Sequence, residues 1–223
     1  MSLSPYQILY EDEKIIVVYK NRDVFTIKTE DKKTYSYNLY HYLFLYLRKK
    51  GEKPYLVHRL DFETSGILIF AKDGMTQLCL RKCFEERKVI RLYEAVIKEE
   101  LPLGLKKEVK MFLSKNEKGK RIVPVSEQEG KEAITIYQVR NRIQIGTALK
   151  IQILTGRRNQ IRIALKEEGM TLIGDRRYSM NEAKRMYLNS YYLKFPSDFG
   201  LRKNEFVLQP LWLKEEDYEP LSE

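Results

Sequence analysis

Cysteine is scarce in this chain: 223 residues hold two, Cys79 and Cys83. Two thiols spaced i,i+4, with no second Cys or His pair beside them, offer neither a disulfide framework nor a zinc site. Thiols of this kind fit a reducing compartment. Long apolar runs are missing as well. The longest, Leu39–Leu47 and Ile67–Ala71, fall far short of the ~20 residues that span a bilayer. The opening MSLSPYQILYEDEK has no apolar core of a secretory signal, so a cytoplasmic location is expected. No internal repeat, low-complexity block or Pro/Gly/Ser-rich linker divides the chain, which argues for one domain over residues 1–223.

Hydrophobic residues make up 43% and charged residues 32%, with 16 Tyr and 9 Phe, a composition that folds rather than stays disordered. A chain of this length buries roughly 70% of its unfolded surface without a metal or disulfide staple. The charge needs an explanation: 41 Lys and Arg against 31 Asp and Glu, a net of +10. It is uneven. Residues 203–223 hold two Lys and six acidic residues, an acidic C-terminal segment that leaves a more basic body. Arg81–Arg91 holds five basic and two acidic residues, and Thr155–Arg185 eight and four. Such an excess makes a polyanion, nucleic acid ahead of membrane, the leading class of partner.

Strand patterns dominate. Lys14–Lys20 and Val24–Lys28 are β-branched and flank a turn-like Asn21-Arg22-Asp23, which predicts a hairpin. Tyr35–Lys50 has helical spacing and stops at Gly51. Gly66–Lys72 is a continuous apolar run, hence a buried strand, and Asp73 can cap a helix through about Arg87. Val89–Lys98, Ala133–Arg140 and Ala148–Leu154 are further strands, Leu105–Val125 a hairpin turning at Asn116–Gly119, and Asn159–Glu168 a helix. Many strands with few helices and no regular βαβ alternation indicate an α+β fold: a mixed, largely antiparallel sheet flanked by helices and loops.

Two segments stand apart from this scaffold. HRLDFETSG, His58–Gly66, places polar residues directly before a buried strand, where a rigid element can carry a catalytic loop. LTGRRNQIR, Leu154–Arg162, lies at a strand-to-helix junction whose free N–H groups and three Arg suit phosphate. Taken together, these segments resemble the RluA-type RNA pseudouridine synthases, with their H-R-L-D-x-x-T-S-G signature ahead of a hydrophobic strand and A-K. HRLDFETSGILIFAK matches it at every motif position. The family's second signature appears as TGRRNQIRIAL and GDRRY, and a third, a Tyr in a K/R-x-Y-x-A strand, as RLYEA. Asn159 and Ala164 replace two family histidines, Lys20-Asn21-Arg22-Asp23 replaces the common Lys-Pro-Gly turn, and no segment is expected to form the S4-type RNA-binding domain of many relatives.

The resemblance implies the pseudouridine synthase catalytic fold and isomerisation of specific uridines in structured RNA, tRNA or rRNA, with no cofactor and no metal. Asp61 is the implied catalytic carboxylate, as nucleophile or as base. Arg162 is the implied cation that keeps it charged, and Tyr93 the ring against the uracil. Thr64, Ser65 and Gly66, with Thr155 and Gly156, are expected to shape the loops. His58, Arg59, Arg81, Lys82, Arg87, Lys88, Arg157, Arg158, Arg176 and Arg177 are the candidate RNA contacts, and His41 is read as structural. A monomer that does not engage membranes is expected. The competing reading is a catalytically idle RNA-binding module or assembly factor. A metal-dependent nuclease has no acidic cluster around Asp61 to support it.

Overall fold

The computed structural model describes residues 4–117, 119, 121–181 and 183–210. The chain divides into two compact units, one built from the residues up to Val89 together with Ser190–Leu208, the other from Ile90–Asn189.

In the first unit, β1 (Tyr6–Glu11) and β2 (Ile15–Lys20) form an antiparallel pair, and β2 pairs on its other side with β4 (Ser65–Ala71). All seven residues of β4 are buried, which is why its sequence is an unbroken apolar run rather than an alternation. The short β3 (Tyr55–Leu56) adds to β4, and β11 (Glu205–Val207) to β10 (Leu188–Lys194). Helix α1 (Leu39–Arg48) starts four residues later than the spacing predicts, because Asn38 is its cap: the Asn38 side chain accepts from the His41 N–H at 2.9 Å. Helix α2 (Gly74–Glu85) begins where expected, with Asp73 accepting from the Thr76 N–H at 2.8 Å and from its hydroxyl at 2.6 Å. It lays Leu80 and Cys83 against Ile15, Val17, Ile67, Ile69 and Phe195. The two cysteines therefore differ: Cys83 is buried, its thiol pKa raised by that burial, while Cys79 is exposed.

One expectation fails here. Val24–Lys28 is not the second strand of a hairpin, since β2 already has β1 and β4 on its two edges. The segment's hydrogen bonds go elsewhere: the Phe25 and Thr26 carbonyls accept from the Leu39 and Tyr40 N–H groups at 2.8 and 3.0 Å. β-Branched composition signals a strand, but the number of free strand edges decides whether one forms.

The second unit is an antiparallel series in the order β5 (Ile90–Ile97), β9 (Gly146–Ile153), β8 (Lys131–Ile143), β6 (Lys106–Lys115) and β7 (Ile122–Val125). The β6–β7 hairpin turns as predicted, the Gly119 N–H donating to the Asn116 carbonyl at 2.7 Å. β8 and β9 run longer than their apolar cores, with a bulge between Val139 and Asn141. Helix α3 (Gln160–Glu167) packs Ile163 against Leu113 and Ala133 of the sheet. Only the start of the acidic C-terminal segment can be placed, because residues 211–223 lie outside the described residues.

Candidate active site

In the first unit the HRLDFETSG loop is held at several points. His58 accepts the Ile69 N–H on Nε2 at 3.2 Å and stacks on Phe84 with centroids 4.7 Å apart, so this ring ties the loop to β4 and α2. Arg59 is exposed. Leu60 and Thr26 clamp each other: the Thr26 hydroxyl donates to the Leu60 carbonyl at 2.8 Å, and the Leu60 N–H donates back at 3.2 Å. The Thr64 N–H closes a turn onto the Asp61 carbonyl at 3.3 Å. Asp61 itself is half-buried, and Phe62 beside it lies 4.4 Å from the Phe25 ring between centroids. Thr64 and Ser65 are buried. Gly66 has φ +133°, and a Cβ there would sit 2.3 Å from the Ser190 carbonyl oxygen. No L side chain fits that position.

Lys20, at the end of β2, is fully buried and reaches this loop. Its ammonium donates to the carbonyls of Asn21, Val24 and Phe62 at 3.0, 2.8 and 3.1 Å. Burial pulls its pKa down to about 7 against the opposing pull of Asp61 and Asp23. In the sequence this residue is met only as the Lys at the family's Lys-Pro-Gly turn, and its burial is not predicted there; a Lys closing an apolar strand ordinarily extends into solvent.

Arg81, Lys82, Arg87 and Lys88 are all exposed on or just after α2. Glu86 stands between two of them, 2.7 Å from Lys88 and 3.8 Å from Lys82. Exposed pairs of this kind add little stability and are easily exchanged for a phosphate.

In the second unit, Tyr93 lies on β5 opposite Ile151, 6% exposed. The TGRRNQIR loop is built around Gln160. Its Oε1 accepts from the Thr155 hydroxyl at 2.8 Å and the Arg157 N–H at 3.0 Å, and its amide donates to the Ile134 carbonyl and the Thr135 hydroxyl. Thr155 in turn accepts the Ile134 N–H at 2.8 Å. A buried amide this well satisfied sets the loop's geometry. Arg91 is also buried and donates to the Leu154 carbonyl at 3.1 Å. A Cβ on Gly156 would come within 2.9 Å of its guanidinium, so this glycine leaves room for a neighbour. Arg157 donates to the Glu132 carbonyl at 2.9 Å, whereas Arg158 is exposed.

Arg162 makes a two-pronged pair with Asp175, Nε to Oδ2 at 2.7 Å and Nη2 to Oδ1 at 2.6 Å, at side-chain exposures of 3% and 0%. Burial pushes the Asp175 carboxyl up, but the guanidinium and the N–H groups of Tyr178 and Arg177 outweigh it and hold the carboxyl below its usual range. The Tyr178 ring lies 5.2 Å from the Arg162 guanidinium. Asn159, at a family-histidine position, adopts left-handed φ 56° and donates from its side chain to the Tyr178 hydroxyl at 2.9 Å. Asn tolerates that backbone better than most residues. Ala164, at the other, is packed into the buried side of α3. Arg176 is exposed and Arg177 half-buried against Tyr178.

The structure thus groups Asp61 with Lys20 in one unit, and Arg162 with Asp175, Tyr178 and Asn159 in the other. Lys20, Gln160, Arg91 and Asp175 escape the sequence reading as site residues, although Arg91, Gln160 and Asp175 sit inside its motifs and Lys20 at the family's Lys-Pro-Gly turn. No group of three or more His, Cys, Asp or Glu among the described residues could hold a metal ion, and no described helix is long and apolar enough to cross a membrane.

A family model described as RNA pseudouridylate synthase matches residues 14–167, more than half of the chain. The chain belongs to the RNA pseudouridylate synthase family. Its relatives are of the RluA type: "Ribosomal large subunit pseudouridine synthase D" of Borreliella burgdorferi is 29% identical over 91% of this chain and 63% of its own length. The protein of the same name from Vibrio cholerae is 31% identical over 78% of this chain and 53% of its own. The chain therefore spans a little over half the length of these relatives. Among solved structures, human RNA Pseudouridylate Synthase Domain Containing 1 aligns with TM-score 0.75 at 24% identity, over 93% of this chain and 84% of its own. That likeness shows the fold: the α+β class expected from the strand pattern and the pseudouridine synthase architecture that the resemblance implies.

Proposed function

We propose that this protein converts specific uridines of structured RNA to pseudouridine, with Asp61 as the catalytic carboxylate. The observation that carries the reading is the complete HRLDFETSG segment, folded into a clamped turn that leaves Asp61 half-buried at the entrance to β4. The names of the relatives favour large-subunit ribosomal RNA as substrate, with tRNA the second candidate. The reaction breaks N1–C1′, turns the uracil and forms C5–C1′; the C5 proton leaves to solvent and N1 regains one, so the product is an isomer. No electron acceptor or group donor enters the balance, and no cofactor is invoked. An ionised carboxylate serves either as nucleophile or as base. Holding the detached uracil makes rejoining effectively intramolecular. Tyr93 and Arg162 are assigned to the same chemistry by the motifs that carry them, and the Asp175 pair would hold the Arg162 guanidinium in one orientation.

The target uridine must leave its stack to expose C1′, so a loop or a flipped base is the substrate geometry. Exposed Arg59, Arg81, Lys82, Arg87, Lys88, Arg158 and Arg176 are the phosphate contacts of this proposal, acting in the cytoplasm on a monomeric protein. Tritium release from RNA labelled with 5-³H-uridine tests it. Release from ribosomal RNA by the wild type and none by Asp61→Ala, with RNA affinity retained, is the expected outcome. Absence of release from every ribosomal and transfer RNA fraction would favour the idle binding module.

A further inference from the structure

Helical spacing runs from Tyr35, but α1 begins only at Leu39, and the residues just before it form a surface of their own. Tyr35 is 48% and Tyr37 72% exposed, although leaving large rings in water costs free energy. Their backbone is tied down. The Thr34 hydroxyl accepts the Thr29 N–H at 2.8 Å and donates to the Asp31 carbonyl at 2.7 Å, and the buried Asn38 amide donates to the Thr34 and Tyr35 carbonyls at 2.8 and 3.1 Å. The Lys28 ammonium lies 5.0 Å from the centre of the Tyr35 ring. Lys32 and Lys33 are exposed in the same turn, as is Glu30, and Asp31 gives one carboxylate oxygen to the Lys33 N–H at 2.9 Å. This segment adjoins the Asp61 loop within the first unit. Asn38, the residue after Tyr37, forms a parallel bridge with Phe25, whose ring lies 4.4 Å from that of Phe62 between centroids. Phe62 follows Asp61 and is itself 37% exposed. Single exposed aromatics are ordinary on a protein surface. Three on two adjoining loops, with a lysine over one ring, have the make-up of a platform on which unpaired bases stack.

We propose that Tyr35 and Tyr37, with Phe62 and Lys28, form a stacking site for the unpaired nucleotides that flank the target uridine. Every base has a π face, so such a site reads whether the strand is single rather than what its sequence is. In a duplex the bases already stack on one another and offer no face to a side chain. A uridine flipped out for Asp61 leaves its neighbours without a stacking partner, and rings beside the Asp61 loop offset that cost. Lys28 places a cation where the phosphate of a stacked nucleotide needs one.

The inference rests on the reading of the protein as an enzyme that acts on RNA at Asp61, and the test lets the two fail separately. Equilibrium binding is measured in an Asp61→Ala background, where no turnover alters the RNA. The probes are a uridine-containing single-stranded oligoribonucleotide and the same strand annealed to its complement. Tyr35→Ala combined with Tyr37→Ala should weaken single-strand binding about 10-fold or more, the scale of losing a stacked base or two. Duplex binding and the salt dependence should stay unchanged, because no charge is removed. Tyr35→Phe combined with Tyr37→Phe should bind like the parent, because the rings are kept. A 2-aminopurine placed beside the uridine reads the unmutated rings directly: its fluorescence should be quenched on binding the parent and recover with the alanine variant. Undiminished single-strand affinity of the alanine variant, an equal loss for single strand and duplex, phenylalanine variants as weak as the alanine ones, or no quenching by the parent overturns the inference. If the binding pattern is as expected but the protein with Asp61 intact releases no tritium from any ribosomal or transfer RNA fraction, the reading of Asp61 is overturned and the stacking site stands.

Discussion

Glu94 should make the protein less stable as pH rises, and Glu94→Gln should remove that loss. The residue follows Tyr93 on β5 and so points to the opposite face of the strand. It is 3% exposed, and its Oε1 has no hydrogen-bond partner. Burial drives its pKa from 4.5 up to about 8, the charges of Arg140 and Lys150 offsetting only part of that. Because the folded-state value is raised, the carboxyl carries no penalty while both states are protonated, below about pH 4.5. Between about pH 4.5 and pH 8 the unfolded chain ionises and the folded one does not, so folding stability declines. One unit is ~1.36 kcal/mol, which gives about 2–3 kcal/mol lost between pH 5 and pH 7, and an upper limit near 5 kcal/mol above pH 8. Urea unfolding followed by circular dichroism at pH 5, 6, 7 and 8 reads this directly. A buried amide shifts the variant by a constant amount, so the quantity to compare is the slope: the variant should gain about 2–3 kcal/mol on wild type between pH 5 and pH 7. Parallel profiles would show that Glu94 is ionised in the folded protein and refute the reasoning.

Three other expectations follow from the contacts described above. Asp175→Asn leaves the Arg162 guanidinium buried against a neutral amide and should cost about 3–5 kcal/mol in chemical denaturation. Because the Asp175 carboxyl is held below its usual range, its stabilisation is fully present above about pH 4 and fades as pH falls further; equal acid stability of variant and wild type would contradict this. Gly66→Ala cannot place its Cβ without moving Ser190, so soluble yield and thermal midpoint should both drop sharply, and an unchanged melting temperature would show that the approach relaxes freely. Asp73→Ala removes the cap of α2 and should cost about 1 kcal/mol without affecting turnover, which thermal melts and tritium release together decide.

The sequence was most informative where chemistry and local pattern coincide. β4 is legible as an apolar run because both its faces are buried, and α2 because Asp73 precedes a helical pattern. The β6–β7 turn follows from Asn116 and Gly119, and the candidate site from three motifs in fixed order. Helix α1 is displaced only at its start, since a cap depends on one side-chain hydrogen bond rather than on periodicity. Val24–Lys28 has the composition of a strand and is not one, because β2 has no free edge to offer.

By itself, then, the chain of residues determined the scarcity of thiols, the basic body, the α+β class and the residues that propose chemistry, all properties of local pattern or composition. Tertiary structure decided which charges lie in the interior. It sank Lys20 under the Asp61 loop, gave Arg162 the carboxylate of Asp175 and stranded Glu94 without a full set of partners. Burial of a charged group depends on which distant backbone carbonyls and carboxylates the fold brings within about 3 Å, and that is set by long-range packing.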